Sequence, residues 1–348
     1  MFTLMKLAFH ACDERSKYWY NTIPKNVIKI DIRSCCDDLI QITKGKTSVN
    51  NTNTVCETAS TYGHLDCLML AHQMQFSWNS KTCSAAARNG QLECLMYAHE
   101  NGCSWNQYTC SLAALNGHIN CLKYAHENNC PWNSQTIDCA IKKGYLECLT
   151  YAHEHGCPWG ILSCAMAAIK GHLECLKYSF ENGCNWDETT CMMSAYYGHL
   201  NCLQYAHDNG CPWGPMTSIF AAKSGNLKCL IYAHENGCAW DMGTTYKAAE
   251  EGNLNCLKYA HKNGCPWDEN ITYIAAFNGN LKCLKYAHKH GCPWDESTSL
   301  ACVKNGSFNC LLYARRNGCP LNGVTRRLII KNKRLKTKTK KLLLGLEI

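Results

Sequence analysis

The sequence predicts an all-α protein, a solenoid of about ten helix-turn-helix repeats, and three observations carry that prediction. Nine tryptophans, Trp78, Trp105, Trp132, Trp159, Trp186, Trp213, Trp240, Trp267 and Trp294, recur every 27 residues, and Asn51 and Leu321 hold the same position at the two ends. Ten glycines from Gly63 to Gly306 keep step with them, without one insertion or deletion. Each repeat carries two segments of helical length separated by that glycine. A strict period requires one backbone path in every repeat, with the core buried between neighbours. It overrides the two or three globular domains that 348 residues would otherwise suggest.

Residues 1–50 precede the series. Phe2 to Phe9 and Asp31 to Ile42 read as short helices on either side of Tyr18 to Ile30, which Pro24 interrupts; Lys44 to Asn53 is a polar connector. A terminal repeat without a neighbour exposes an apolar face, so this segment is expected to act as a cap. Leu7 to Tyr20, with Ala11-Cys12 and Trp19-Tyr20, also resembles the closing helix of an F-box, which opens the alternative of a ubiquitin-ligase adaptor. Met1 to Cys12 lacks a basic n-region and reads as helix, not as a signal peptide. No apolar run approaches the roughly 18 residues of a membrane span, and an intracellular protein is expected.

Within residues 51–320 each repeat follows one plan. A Thr four residues after the Trp, such as Thr109, Thr190 or Thr217, is expected to cap a first helix. That helix carries small pairs, Ala113-Ala114, Ala221-Ala222, Ala248-Ala249 and Ala275-Ala276, where a neighbour must approach closely, and it ends at the phased Gly. The second helix, from about Leu173 to Glu181 in one repeat, places Leu173, Cys175, Leu176 and Ser179 on one face; Asn182-Gly183 stops it. Helices of nine or ten residues are marginal alone, so stacking must supply the stability.

Charge and cysteine narrow the function. The net charge of +8 resides after residue 320, where nine Lys or Arg face one acid, and the first 320 residues hold 26 of each sign. Ten of the 29 cysteines, Cys67 to Cys310, share one repeat position and nine, Cys103 to Cys319, share another. Equivalent positions on packed helices stand about 8 to 10 Å apart, beyond the roughly 7 Å that a disulfide tolerates. Reduced thiols acting as small buried hydrophobes are expected.

The residues resemble the ankyrin repeat: Thr109, Ala113, Ala114, Gly117 and His118, then Gly-His-Leu-Glu-x-x-Lys and Glu-Asn-Gly, follow its order. The period is 27, where ankyrin has 33, and the missing residues are those of the ankyrin β-hairpin finger; Cys-Pro-Trp closes the gap, and a Thr-Pro-Leu-His opening is absent. This shortened form is similar to arrays encoded by giant viruses that infect amoebae. The resemblance spans residues 51 to 333 and implies an ankyrin-like solenoid for protein binding, plausibly a viral product acting on host proteins in the cytoplasm or nucleus.

No phosphate loop, nucleophile elbow or distinctive carboxylate pair is present, so neither an enzyme nor a cofactor is expected. The spacing Cys121, His126, Cys130 raises zinc, but residues five apart on a helix point about 140° away from each other, and no metal site is expected. The phased Trp is read as packing, and its loss would cost about 3 to 5 kcal/mol if the indole were fully buried. Recognition is expected where repeats differ: ten residues after the Trp stand Arg88, Leu115, Lys142, Ile169, Tyr196, Lys223, Glu250, Phe277 and Lys304, on the helix that lines the concave face in ankyrin-like arrays. Residues 321–348 begin as an eleventh first helix, with Ile329-Ile330 in place of Ala-Ala. Their basic residues Arg326, Arg327, Lys331, Lys333, Arg334, Lys336, Lys338, Lys340 and Lys341 form either a solubilising end or a nuclear-localisation or nucleic-acid patch. A monomer with a protein partner and no membrane contact is expected.

Overall fold

The computed structural model describes residue 39 and residues 52–333 and 335–344; apart from Leu39, the expected N-terminal helices and the F-box-like segment lie outside them. Among the described residues there are 22 α-helices and no strand, and no helix is long and apolar enough to cross a membrane. The chain divides into two compact segments, residues 1–163 and 164–348. In the first, α1 (Thr52–Tyr62) pairs with α2 (Leu65–Gln73), α3 (Ser80–Arg88) with α4 (Leu92–Glu100), α5 (Gln107–Leu115) with α6 (Ile119–Glu127), and α7 (Ser134–Lys143) with α8 (Leu146–Glu154). The first helices pack side by side in the order α1, α3, α5, α7, and the second helices form their own row.

The second segment repeats the plan. Its pairs are α9 (Ser163–Lys170) and α10 (Leu173–Glu181), α11 (Glu188–Tyr197) and α12 (Leu200–Asp208), α13 (Pro215–Ser224) and α14 (Leu227–Glu235). They continue as α15 (Met242–Glu250) and α16 (Leu254–Lys262), α17 (Asn270–Phe277) and α18 (Leu281–Lys289), α19 (Glu296–Asn305) and α20 (Phe308–Arg316). The predicted second helix from Leu173 to Glu181 is α10 itself.

The start of the first helices differs from the expectation. The cap is the residue directly after the Trp: Asn79, Asn106 and Asn133 accept from the amides of Lys81, Tyr108 and Gln135, and Asp187, Asp241 and Asp295 do the same in α11, α15 and α19. With the helix begun there, the Thr becomes its third residue and is buried, as Thr109, Thr190 and Thr217 are. Thr109 Oγ1 lies 3.4 Å from Ser84 Oγ of the preceding repeat, so this hydroxyl faces the seam between repeats and not the cap, whereas Thr136, Thr190 and Thr244 Oγ1 are buried without a hydrogen-bond partner.

The phased glycines end these helices at φ between 71° and 79°, a left-handed conformation that disfavours a Cβ. A second constraint acts at the same place. A Cβ on Gly171 would lie 2.4 Å from His199 Nδ1, and one on Gly198 would lie 2.7 Å from Asn226 Oδ1. The close approach lets the residue after the next glycine reach back to the carbonyls of the finished helix. Asn226 Nδ2 donates to the Tyr196 and Ala195 carbonyls at 2.6 and 3.0 Å, and Asn253 and Asn280 donate to the Lys223 and Glu250 carbonyls at 2.7 and 2.6 Å. These are carbonyls that a helix end leaves without an intrahelical partner. The glycine that ends the second helix is different: Gly183 has φ 84°, yet a Cβ there would meet nothing within 4 Å. Gln75 and Asn129 occupy that position in two other repeats at φ 60° and 63°.

The core follows from these approaches. On the second helices Cys, Leu and Ala at the third, fourth and seventh residues are buried, as Cys202, Leu203 and Ala206 are, and they meet the buried Ala221 and Ala222 type pairs of the first helices. Small side chains allow the close packing, and one buried Leu per repeat fills what remains.

Beyond Arg316 the chain adds α21 (Gly323–Lys331), the expected eleventh first helix, with Ile329 buried and Ile330 57% exposed. The basic run does not end as a plain polar tail: Thr337–Leu344 forms α22, which packs on α20 and α21 with Leu343 buried. Arg315 Nε donates to the Leu343 carbonyl at 3.1 Å. Three leucines behind the lysines give this helix an apolar side.

These geometries separate two glycines. Gly183→Ala should cost about 1–2 kcal/mol, the penalty of a left-handed Ala, and Gly183→Asn less than that. Gly171→Ala should cost distinctly more, because a neighbouring imidazole must also move. Urea midpoints of the variants provide the measurement, and equal losses for the two Ala variants would remove the close approach as a cause.

Candidate protein-binding surface

The recurring aromatic residues build scaffold. Each Trp is half-buried, not fully buried, because it lies over the outer end of the second helix. There it stacks on the histidine of its own repeat, with ring centroids at 3.8 Å for His99 and Trp105 and for His207 and Trp213, and 3.9 Å for His234 and Trp240. The same indole meets the edge of a tyrosine in the next repeat at about 6 Å, as Trp240 meets Tyr259 at 6.2 Å. The histidine then bonds that tyrosine: His99 Nδ1 to Tyr124 Oη is 3.0 Å and His234 Nδ1 to Tyr259 Oη is 2.9 Å. Tyr232 Oη donates to Asp208 at 3.1 Å, so its single proton is spent and His207 Nδ1–H donates to it. Phe180 replaces the histidine in one repeat and keeps the stack, 3.6 Å from Trp186. The position therefore requires a flat ring before it requires a nitrogen.

The zinc spacing is dispersed by this ladder. His126 stacks on Trp132 at 3.9 Å and bonds Tyr151 at 3.0 Å, while Cys130 Sγ donates to the Asn106 carbonyl at 3.4 Å. Cys121 is buried in the core, and burial raises its thiol pKa to about 11. The described cysteines are thiols. Burial likewise raises Cys175, Cys202, Cys229, Cys256 and Cys310 to about 11, so they stay protonated at neutral pH and serve poorly as nucleophiles or ligands. In the second series the S–H satisfies the carbonyl of the preceding cap residue, as from Cys211 to Asp187 at 3.2 Å and from Cys265 to Asp241 at 3.2 Å.

The variable residues end the first helices. Arg88, Leu115 and Lys142 terminate or nearly terminate α3, α5 and α7, three neighbours in the first segment. Ile169, Tyr196, Lys223, Glu250, Phe277 and Lys304 hold the same place in the second. Arg88, Lys142 and Lys304 are exposed and the others half-buried. In Ile169, Tyr196, Lys223, Glu250 and Phe277 the main-chain carbonyl is taken by the next repeat, and only the side chain is available to vary. Tyr196 packs edge-on against Tyr197 and Phe220 at 5.0 and 5.6 Å, and Lys223 Nζ lies 5.7 Å from the Phe220 ring. Phe277 stacks on Tyr273 at 6.1 Å.

Reading one column of variable residues missed part of this face. Tyr108 and Met216, three residues after their Trp, are 52% and 46% exposed, and Tyr197, eleven after, is 50% exposed. Offsets of three, seven, ten and eleven share one helix face, and the sequence already varied at all of them. Among the tail residues, Arg326, Arg327, Lys331, Lys333, Lys336, Lys338 and Lys341 are exposed; Lys340 Nζ donates to the Ile330 carbonyl at 2.7 Å, and Arg334 lies outside the described residues.

Half-burial sets the cost of a ladder residue. Trp240→Ala should destabilise by about 2 kcal/mol, under the 3–5 kcal/mol of a fully buried indole, whereas His234→Phe should be nearly neutral; denaturant titration tests both. The ladder also predicts a pH response. Burial holds His126, His261 and His288 below the usual histidine value, with His155 and His290 adding repulsion at the first two. The folded chain thus prefers the neutral ring, and the unfolded chain takes up protons near pH 6.5. Stability should be intact above that pH and decline as it falls toward 5. His261→Phe should flatten part of the slope in a melting-temperature series, and an unchanged slope would exclude this ring as a source.

Residues 164–207 match the family described as ankyrin repeats in many copies. No curated protein gives a significant match to the sequence. Among solved structures, the human ASB11 ankyrin repeat domain is similar at 19% identity and a TM-score of 0.42, over 45% of this chain and 84% of that one. The ankyrin repeat match covers residues 164–207, and the same helix pair recurs on both sides of it.

Proposed function

We propose that this protein is a non-catalytic interaction scaffold whose protein partner seats on the variable face of the first helices. The observation that carries the reading is the separation of roles along each repeat. Residues that recur are consumed by packing, caps and hydrogen bonds between repeats, whereas the side chains that differ on the first helix share one face and include half-exposed aromatics. Solenoids bind through such faces, and Tyr, Phe and Arg among polar neighbours have the composition of binding hot spots. In ankyrin-like arrays this helix lines the concave side. The shortened repeat supports a finer reading, a viral product that engages a host protein as a monomer inside the host cell.

Affinity purification of the full-length chain under reducing conditions, followed by mass spectrometry, identifies the partner. Tyr196→Ala combined with Phe277→Ala should then weaken it at least tenfold, equivalent to about 1.4 kcal/mol. Circular dichroism should show the fold intact. Full retention of the partner by the double variant would move the binding site off this face.

A further inference from the structure

Overall neutrality of the repeats conceals a segregation of charge. On a second helix the second, fifth and ninth residues fall within about 60° of one another at 100° per residue, so they form one face. In the first segment that face is mainly acidic: Glu93 and Glu100 on α4, Glu127 with Lys123 on α6, Glu147 and Glu154 on α8. In α16, α18 and α20 the same positions hold Lys258 and Lys262, then Lys282, Lys285 and Lys289, then Arg316. These three helices contain no Asp or Glu, and neither does α22, which adds three lysines and packs on α20. No acid occurs between Glu296 and Glu347. The acids of the α18 and α20 repeats, Asp268-Glu269 and Asp295-Glu296, open the first helices instead, as Asp241 does in the α16 repeat, where Glu250 and Glu251 close α15. All six named cations but Lys258 are exposed; Lys258 and Lys285 are held 5.9 and 5.4 Å from the rings of Tyr286 and Tyr313.

We infer that α16, α18, α20 and α22 form a cationic track that binds the phosphate backbone of a nucleic acid. The four helices neighbour one another in this order, at the roughly 8–10 Å of packed helices. The track therefore repeats the same charged positions along a line, which suits a partner whose own charges repeat along a line. An anionic bilayer fits less well. Surface-bound helices gain from inserted apolar side chains; α16, α18 and α20 expose no large hydrophobic residue and α22 exposes Leu342 alone. Base reading is not implied, because the tyrosines of these helices, Tyr259, Tyr286 and Tyr313, lie against the indoles of Trp240, Trp267 and Trp294; the binding is electrostatic and indifferent to sequence. The inference is independent of the protein-binding face, which lies on the other helix of each repeat.

The test uses the full chain and a labelled mixed-sequence DNA duplex, with affinity measured by fluorescence anisotropy from about 50 to 200 mM salt, a range over which six or more phosphate contacts lose about 10³-fold or more. Lys282→Gln, Lys285→Gln and Lys289→Gln together should lower affinity at least tenfold and reduce the salt slope by about 2 to 3, at 0.9 per phosphate contact. Unchanged circular dichroism keeps the variant interpretable. Three results overturn the inference: no binding by the unaltered chain at low salt; full binding by the triple variant, with loss only on Lys331→Gln, Lys333→Gln and Lys336→Gln; or tighter binding to phosphatidylcholine–phosphatidylserine vesicles than to DNA at equal salt.

Discussion

A helix of nine residues does not hold together alone in water, so the burial of Ala, Cys and Leu between one helix pair and the next is the interaction on which the rest of this molecule depends. Every recurring residue can be understood as serving that contact. Glycine removes the side chain that would keep the pairs apart, the following His or Asn then reaches the open carbonyls of its neighbour, and small buried thiols and alanines fill a gap too narrow for larger groups. The Trp, His and Tyr ladder closes the outer end of the same seam.

This division gives the recurring Cys, His and Trp of the described residues structural work. A thiol acts as nucleophile or ligand when it is ionised and accessible. In this array the core thiols such as Cys202, Cys229 and Cys256 are buried and held protonated, those of the second series donate to main-chain carbonyls, and the histidines at the end of the second helices lie flat against indoles. Repetition has a further effect: a residue present ten times is constrained by ten similar seams, so it is poorly placed to become a unique site. The positions that the seams do not constrain are one face of the first helix and one face of the second.

Those two faces are under different physical rules. On the first helix, half-buried aromatics such as Tyr196 and Phe277 combine apolar area with partial exposure, which favours a shaped protein partner. On the second helix the free positions are long and charged, and their sign changes along the chain from Glu in α4 and α8 to Lys and Arg in α16, α18 and α20. A charge balance taken over the first 320 residues, with 26 of each sign, averages this reversal away.

The sequence by itself determined the helix pairs, the bounds of the second helices, the reduced thiols, the packing role of the tryptophans and the positions free to vary, because each follows from a period that no insertion disturbs. Tertiary structure alone decided the rest. Asn or Asp after the Trp displaced Thr as the cap, since where a helix starts depends on which residue the neighbouring repeat buries. The His to Tyr bond joins residues 25 apart, a relation that periodicity permits but geometry must supply. The lysine run became the docked helix α22 because Leu343 finds an apolar surface that only the folded array presents.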